Sequence, residues 1–188
     1  MTGYRNWRAV LHEAPIEMPM PEQVVPSAVL VTVTGDEVPF VVLTKRSAHL
    51  KKHAGQISFP GGRVDEGDKD LTHTALREAQ EEIGLPSDAI DLCGFLPDML
   101  TGTGYRITPV VARTHQTRVM LAPSLIANPQ EVDEILFVPL SLVLSVENYD
   151  SFWREDKNVT WRSWRLTSEG HVIWGATAAI LHHWAAKL

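Results

Sequence analysis

The chain has a single cysteine, Cys93, among its 188 residues, and one thiol cannot close an internal disulfide. A disulfide framework and a CxxC redox site are therefore excluded, and a reducing cytoplasm is the expected setting. Flanked by Leu92 and Gly94-Phe95, Cys93 reads as a buried strand thiol with nothing nearby to stabilise a thiolate. No run reaches the ~18 apolar residues of a membrane span. The N-terminal stretch MTGYRNWRAVLHEAPIEMPMPEQ lacks the apolar run of a signal peptide, so a soluble cytoplasmic protein with no membrane partner is expected. Positive charge is also short. Lys and Arg number 17 against 23 Asp and Glu, a net charge of −6, which argues against nucleic acid as a partner held by phosphate contacts. A small anionic substrate remains compatible, because a bound cation reverses the local field.

With 44% hydrophobic residues in 188, the chain suits one domain with a real core. Pro15, Pro19, Pro21 and Pro26 crowd the stretch before Ser27, and that density blocks helix and central strand alike. Residues 1–26 are expected to be an N-terminal segment with a proline-rich arm, and residues 27–188 the domain. The arm reads either as a loop laid over its own domain or as a contact with a second copy of the chain, in a homodimer.

Within the domain, Ser27–Thr34 and Val38–Thr44 are β-branched runs around a Gly35-Asp36 turn, a hairpin or a pair of consecutive core strands. A charged, glycine-rich loop spans Lys45–Asp70. Leu71–Ile83 has helical composition and stops at Gly84-Leu85-Pro86, a glycine cap followed by a helix breaker. Short strands are predicted at Leu92–Leu96, Ile107–Ala112, Arg118–Leu121 and Ile135–Val138, then a short helix over Pro139–Val146. Val159–Leu166 follows as one more strand, and His171–Trp174 leads through Gly175 into a terminal helix over Ala176–Lys187. The strands are too short and too unevenly connected for a doubly wound parallel sheet.

The chemistry concentrates in Arg77-Glu78-Ala79-Gln80-Glu81-Glu82. At ~100° per residue, Glu78, Glu81 and Glu82 share one arc, with Leu76, Ala79 and Ile83 opposite. Carboxylates that close repel unless a cation sits among them, and an all-oxygen set suits Mg2+ or Mn2+ better than zinc. A solvated helix face is the competing reading. Phe59-Pro60-Gly61-Gly62 upstream weighs against it, since paired glycines let backbone approach a ligand closely.

On these residues the chain resembles the Nudix hydrolases, whose box is G-x5-E-x7-R-E-U-x-E-E-x-G-U with U aliphatic. Gly62, Arg77, Glu78, Glu81, Glu82, Gly84 and Leu85 stand in matching places, with Ala79 as a small U. The glutamate position falls on Asp68, and eight residues rather than seven separate it from Arg77; Asp65 and Glu66 are alternative loop acids. The chain is also similar to the coenzyme A pyrophosphatase branch, L-T-x-R-S/A-x3-R-x3-G-x3-F-P-G-G, through Leu43-Thr44-Lys45-Arg46-Ser47, Lys51, Gly55 and Phe59–Gly62. Lys51 replaces an arginine there, keeping the charge and losing bidentate phosphate geometry. Further similarity lies in Gly104–Val110, Glu131-Val132, Phe137–Leu140 and Trp174–Ala178.

The resemblance implies an α/β/α sandwich around a mixed sheet. It also implies metal-dependent hydrolysis of a nucleoside diphosphate-linked small molecule, coenzyme A giving 4′-phosphopantetheine and adenosine 3′,5′-bisphosphate. Glu78 and Glu82 are the implied Mg2+ or Mn2+ ligands, with Glu81 completing the cluster and the Gly62 carbonyl adding a backbone donor. Arg77 orients a helix carboxylate, or else makes an ordinary ion pair with Glu81. Glu131 is the implied distal acid for water activation, with Asp133 and Glu134 in competition. Arg46 and Lys51, with Lys52 and His53, and the backbone of Gly61 and Gly62 are the candidate substrate contacts. His182 and His183 read as surface or packing residues. The six tryptophans read as core or interface residues, one of them available to stack on adenine. The rival readings are Nudix hydrolysis of ADP-ribose, a dinucleotide or a nucleoside triphosphate, and a non-catalytic nucleotide-binding regulator.

Overall fold

The computed structural model describes residues 6–15, 24–51, 53–156 and 159–188. Its main sheet has eight strands: β1 (Val25–Val33), β2 (Phe40–Arg46), β3 (Ile57–Ser58), β4 (Gly61–Arg63), β5 (Ile90–Phe95), β6 (Met99–Leu100), β7 (Tyr105–Thr114) and β8 (Val132–Pro139). Strands β1 and β7 run parallel, from Val25 opposite Tyr105 to Val33 opposite Arg113, and the other pairs are antiparallel. A second sheet holds β9 (Tyr149–Asp156), β10 (Val159–Ser168) and β11 (His171–Trp174), with β10 in the middle. The helices are α1 (Leu71–Ile83), α2 (Arg118–Leu121), α3 (Leu140–Val143) and α4 (Gly175–Ala186).

Period-two alternation in the central strands divides the core into two layers. Ala28, Leu30, Val42, Val110 and Ala112 pack on Ala75, Ala79 and Ile83 of α1. Their neighbours Val31, Val33, Val41, Leu43 and Val111 face the other way, toward Leu166, Ile173, Ile180, Leu181 and Trp184. Both faces of the mixed sheet are covered, as a sandwich requires. The second layer is made by α4 together with the three-stranded sheet, an addition to the expected helix cover.

Strands β1 and β2 meet only at Val33 and Val41. Along the rest of its length β2 pairs with β8, from Phe40 opposite Pro139 to Arg46 opposite Val132. The space this leaves beside β1 is filled by β4, with Gly62 opposite Ala28 and Gly61 opposite Val29. The glycine turn is thereby built into the sheet within the stretch read as a charged loop.

Helix α1 forms where expected. The Asp70 side chain accepts from the His73 N–H at 2.7 Å as N-cap, and Gly84 (φ 68°) ends the helix in the left-handed region. Arg118–Leu121 is a correction: it is one turn of helix, not a strand. The Asp36 carboxylate accepts from the Arg118 N–H at 2.7 Å and the Leu121 N–H donates to the Thr117 carbonyl at 2.8 Å, so a distant side-chain acceptor and one helical-turn bond replace a ladder. Pro139 closes β8, leaving Leu140–Val143 as the helix in place of Pro139–Val146. Cys93 lies on β5 and is half-buried rather than buried, with its thiol pKa pushed up by burial.

Pro19 and Pro21 lie outside the described residues, whereas Pro26 sits within β1. Residues ahead of that stretch pack against α4 and β5. Trp7 meets Trp184 edge-on at 5.9 Å, and the Trp184 indole N–H donates to the Trp7 carbonyl at 3.1 Å. His12 and Phe95 exchange two backbone hydrogen bonds of 3.0 and 2.9 Å.

Candidate active site

Helix α1 lies across the sheet beside β4, and its polar face meets the glycine turn edge-on. The competing reading of a solvated face fails, because the three carboxylates differ in exposure. Glu81 keeps a side chain 54% exposed, Glu78 falls to 16%, and Glu82 is only 3% exposed. Ala75, Ala79 and Ile83 anchor the helix to the sheet, and Glu82 turns inward with them.

Arg77 organises the carboxylates. Its Nη1 donates to Glu78 at 2.9 Å and to Glu81 at 3.0 Å. Nε and Nη2 both donate to Asp68 at 3.0 Å, and Nη2 also reaches the Arg63 carbonyl at 3.1 Å. The i,i+4 pair with Glu81 exists, but it is one contact in a network that also carries the loop. Asp68 is the enclosed loop acid, its side chain 1% exposed. It further accepts from the Thr74 hydroxyl at 2.8 Å and the Asp65 N–H at 2.9 Å, and lies 2.8 Å from His73 Nδ1. The Arg77 guanidinium beside it holds its carboxyl well below the usual carboxylate range. Asp65 reaches Arg77 only at 3.7 Å and is 72% exposed. The extra residue before Arg77 is absorbed in the loop, with no cost to this bond.

Burial pushes the Glu82 carboxyl up to about 8; the negative charges of Glu78 and Glu131 add to that, while Arg46 and the Gly61 backbone amide oppose it. Burial also raises Glu78, against the pull of Arg77. Glu131 is thus near enough for its charge to act on both helix carboxylates. Its competitors are engaged elsewhere: Asp133 accepts from the Ala48 N–H at 2.9 Å, and Glu134 meets His171 at 3.1 Å. Arg46 stands at a bulge, where the β2–β8 register shifts between Lys45 and Arg46, and its charge acts on Glu82. Lys51 and His53 are exposed on the loop beyond it, and Lys52 lies outside the described residues.

The glycines have separate jobs. A Cβ on Gly61 would lie 2.5 Å from the Ala28 carbonyl and 2.6 Å from the Val29 Cα, whereas one on Gly62 would run into the Glu78 carboxylate. Gly61 lets β4 approach β1, and Gly62 leaves room for Glu78.

Among the described residues, no three Asp, Glu, His or Cys side chains converge on one point as they stand, since Glu78 and Glu81 both turn to Arg77. The donor set nonetheless fits a hard cation: a buried carboxylate that has no cationic partner within bonding distance among the described residues, a second beside it, and backbone oxygen on β4. Sequence reasoning overlooked the burial of Glu82 and the parts of Thr74 and His73 around Asp68. The spacing of Asp68, Thr74 and Arg77 at i, i+6 and i+9 was the available signal.

A glycine turn on a sheet strand, closed over a helix that carries Arg-Glu and Glu-Glu pairs, defines a class. The Nudix domain model matches residues 24–164, and the chain belongs to the Nudix family. Its hydrolases act on nucleoside diphosphate-linked compounds and generally use a divalent ion such as Mg2+ or Mn2+. Among its relatives is NudL of Escherichia coli O7:K1 (strain IAI39 / ExPEC), an uncharacterized Nudix hydrolase, 38% identical over 167 residues, 86% of this chain and 82% of that one. NudL of Citrobacter koseri is 39% identical over 167 residues, with the same coverage. Two solved structures share the fold: the Nudix hydrolase RenU from M. smegmatis (TM-score 0.52, 21% identity, 63% of this chain and 73% of that chain) and a C. elegans Ap4A hydrolase (TM-score 0.50, 17% identity, 61% and 80%).

Proposed function

We propose that this Nudix hydrolase cleaves the diphosphate of coenzyme A or a coenzyme A derivative, releasing 4′-phosphopantetheine and adenosine 3′,5′-bisphosphate. The observation that carries the reading is that Arg46, at the β2 bulge before the 47–56 loop, lies near enough for its charge to act on the buried Glu82 carboxylate. A cation there supports binding of a diphosphate-bearing substrate beside the acidic helix. Arg46, Lys51 and the Gly61–Gly62 backbone hold phosphate oxygens. Glu78 and Glu82 would hold the divalent ion, with Glu81 and the Gly62 carbonyl in support. The ion, when bound, neutralises charge on the non-bridging oxygens.

Arg77 keeps Glu78 and Glu81 in place by fixing them to Asp68 and the Arg63 carbonyl. Glu131 takes the proton of the attacking water. The water oxygen bonds to one phosphorus, the bond from that phosphorus to the bridging oxygen breaks, and the bridging oxygen leaves with the other phosphate. The test is side-by-side turnover of coenzyme A, ADP-ribose, a dinucleotide and a nucleoside triphosphate with Mg2+ or Mn2+. Preferred cleavage of coenzyme A supports the reading. Cleavage of the others alone assigns a different diphosphate, and a chain that binds nucleotide without turnover is a regulator.

A further inference from the structure

We infer that the aromatic cleft between β10, β11 and the loop before β7 is the seat of the substrate's purine base, with Trp161 as its stacking platform. The inference rests on the proposed reading, in which the substrate carries an adenine nucleoside. The cleft encloses about 510 Å3, within the range of small-molecule sites. One wall is Gln56 and His53, the end of the loop that carries Arg46 and leads into Gly61-Gly62. A second is the turn around Thr101 and Thr103. This turn feeds Tyr105, whose hydroxyl accepts from the Arg63 guanidinium, and the Arg63 carbonyl accepts from Arg77. The second wall is therefore tied to the acidic helix through Arg63.

The third wall recognises flat, electron-rich rings. Trp161 stands opposite Arg154, and Trp174 opposite Arg165, which follows Trp161 and Ser163 on the same face of β10; alternation puts both indoles and Arg154 on one face. The Arg154 guanidinium lies 5.2 Å from the Trp174 ring and 5.9 Å from the Trp161 ring, bracing the indoles and adding positive charge. Trp161 keeps 37% of its surface exposed, an indole face with no role in the core. The other tryptophans are spoken for or face elsewhere: Trp164 stacks on His182 at 3.5 Å, Trp184 is fully buried, and Trp153 alternates to the opposite face. At the cleft edge the Gln56 amide oxygen is held by His53 Nδ1 at 2.7 Å, which leaves the amide NH2 as a donor toward a ring nitrogen of the base.

The test uses the full chain with Trp161→Ala, Trp161→Phe and wild type. AMP and pantetheine are titrated without metal by calorimetry, and KM and kcat are measured for coenzyme A and ADP-ribose. Stacking losses of this kind run to about tenfold. AMP affinity is expected to fall about tenfold in Trp161→Ala and recover in Trp161→Phe, with KM rising by a like factor on both adenine substrates and kcat little changed. Unchanged AMP affinity in Trp161→Ala, or loss of pantetheine binding instead, overturns the assignment. Wild type that binds AMP through Trp161 yet cleaves neither substrate upholds the base site and removes the proposed hydrolysis.

Discussion

Arg77 grips Asp68 with two parallel hydrogen bonds of 3.0 Å, from Nε and Nη2, at a carboxylate only 1% exposed. The same guanidinium reaches Glu78 and Glu81 with its remaining nitrogen. A loop acid thus sets the position of two helix acids through one side chain, and removing it acts on both stability and turnover. Asp68→Asn is expected to cost about 2 kcal/mol, because half-buried Arg77 loses the most enclosed of its carboxylate partners and a charge-assisted pair of hydrogen bonds. Asp65→Asn and Glu66→Gln should stay within about 0.5 kcal/mol, as exposed substitutions do. Urea unfolding of the three variants checks this.

Asp68 and Glu82 give stability opposite dependences on pH. The folded pKa of Asp68 is depressed, so its contribution is present above the unfolded value and is lost as pH falls through the folded one. The folded pKa of Glu82 is raised from 4.5 to about 8, so its contribution is full below 4.5 and is lost as pH rises through 8. In EDTA, wild-type stability should fall by about 2 kcal/mol between pH 6 and 8 relative to Glu82→Gln. Divalent ion should restore it, with proton release on binding at pH 7. Denaturation midpoints against pH, with and without Mg2+, measure both effects.

The adjacent glycines should fail differently. Gly61→Ala meets β1 backbone and is expected to destabilise the fold by several kcal/mol, about the cost of forced overpacking. Gly62→Ala meets only the movable end of Glu78, so the melting temperature should hold while turnover drops at least about tenfold. Thermal denaturation and initial rates on the two variants separate them.

Arg46→Ala should raise KM for coenzyme A more than for dephospho-coenzyme A if Arg46 contacts the 3′-phosphate, since loss of uniform binding appears in KM. Equal increases on the two substrates would place Arg46 on the diphosphate instead.

The helix was legible because three independent signals agreed over Leu71–Ile83: composition, the Gly84-Leu85-Pro86 end, and the spacing of Glu78, Glu81 and Glu82. β-Branched runs on either side of the Gly35-Asp36 turn marked β1 and β2. The Lys45–Asp70 stretch hid β3 and β4, which are two and three residues long and exist only because β2 and β1 lie beside them. Strand β9 was overlooked because Asp150, Arg154 and Glu155 break its apolar pattern, and β10 alone supplies its pairing. Arg118–Leu121 carried strand composition, but Asp36, 82 positions away, holds its first N–H. The burial of Glu82 is likewise tertiary: a carboxylate on a helix gives no local sign of facing a sheet.

The central claim is that Glu82, buried at the meeting of α1 and β4, serves hydrolysis of the coenzyme A diphosphate. Mass-spectrometric product analysis of coenzyme A incubated with Mg2+ and either wild type or Glu82→Gln tests it most directly. The expected result is 4′-phosphopantetheine and adenosine 3′,5′-bisphosphate from wild type, and intact coenzyme A from a folded Glu82→Gln. Undiminished product from Glu82→Gln, or intact coenzyme A with wild type, would contradict it.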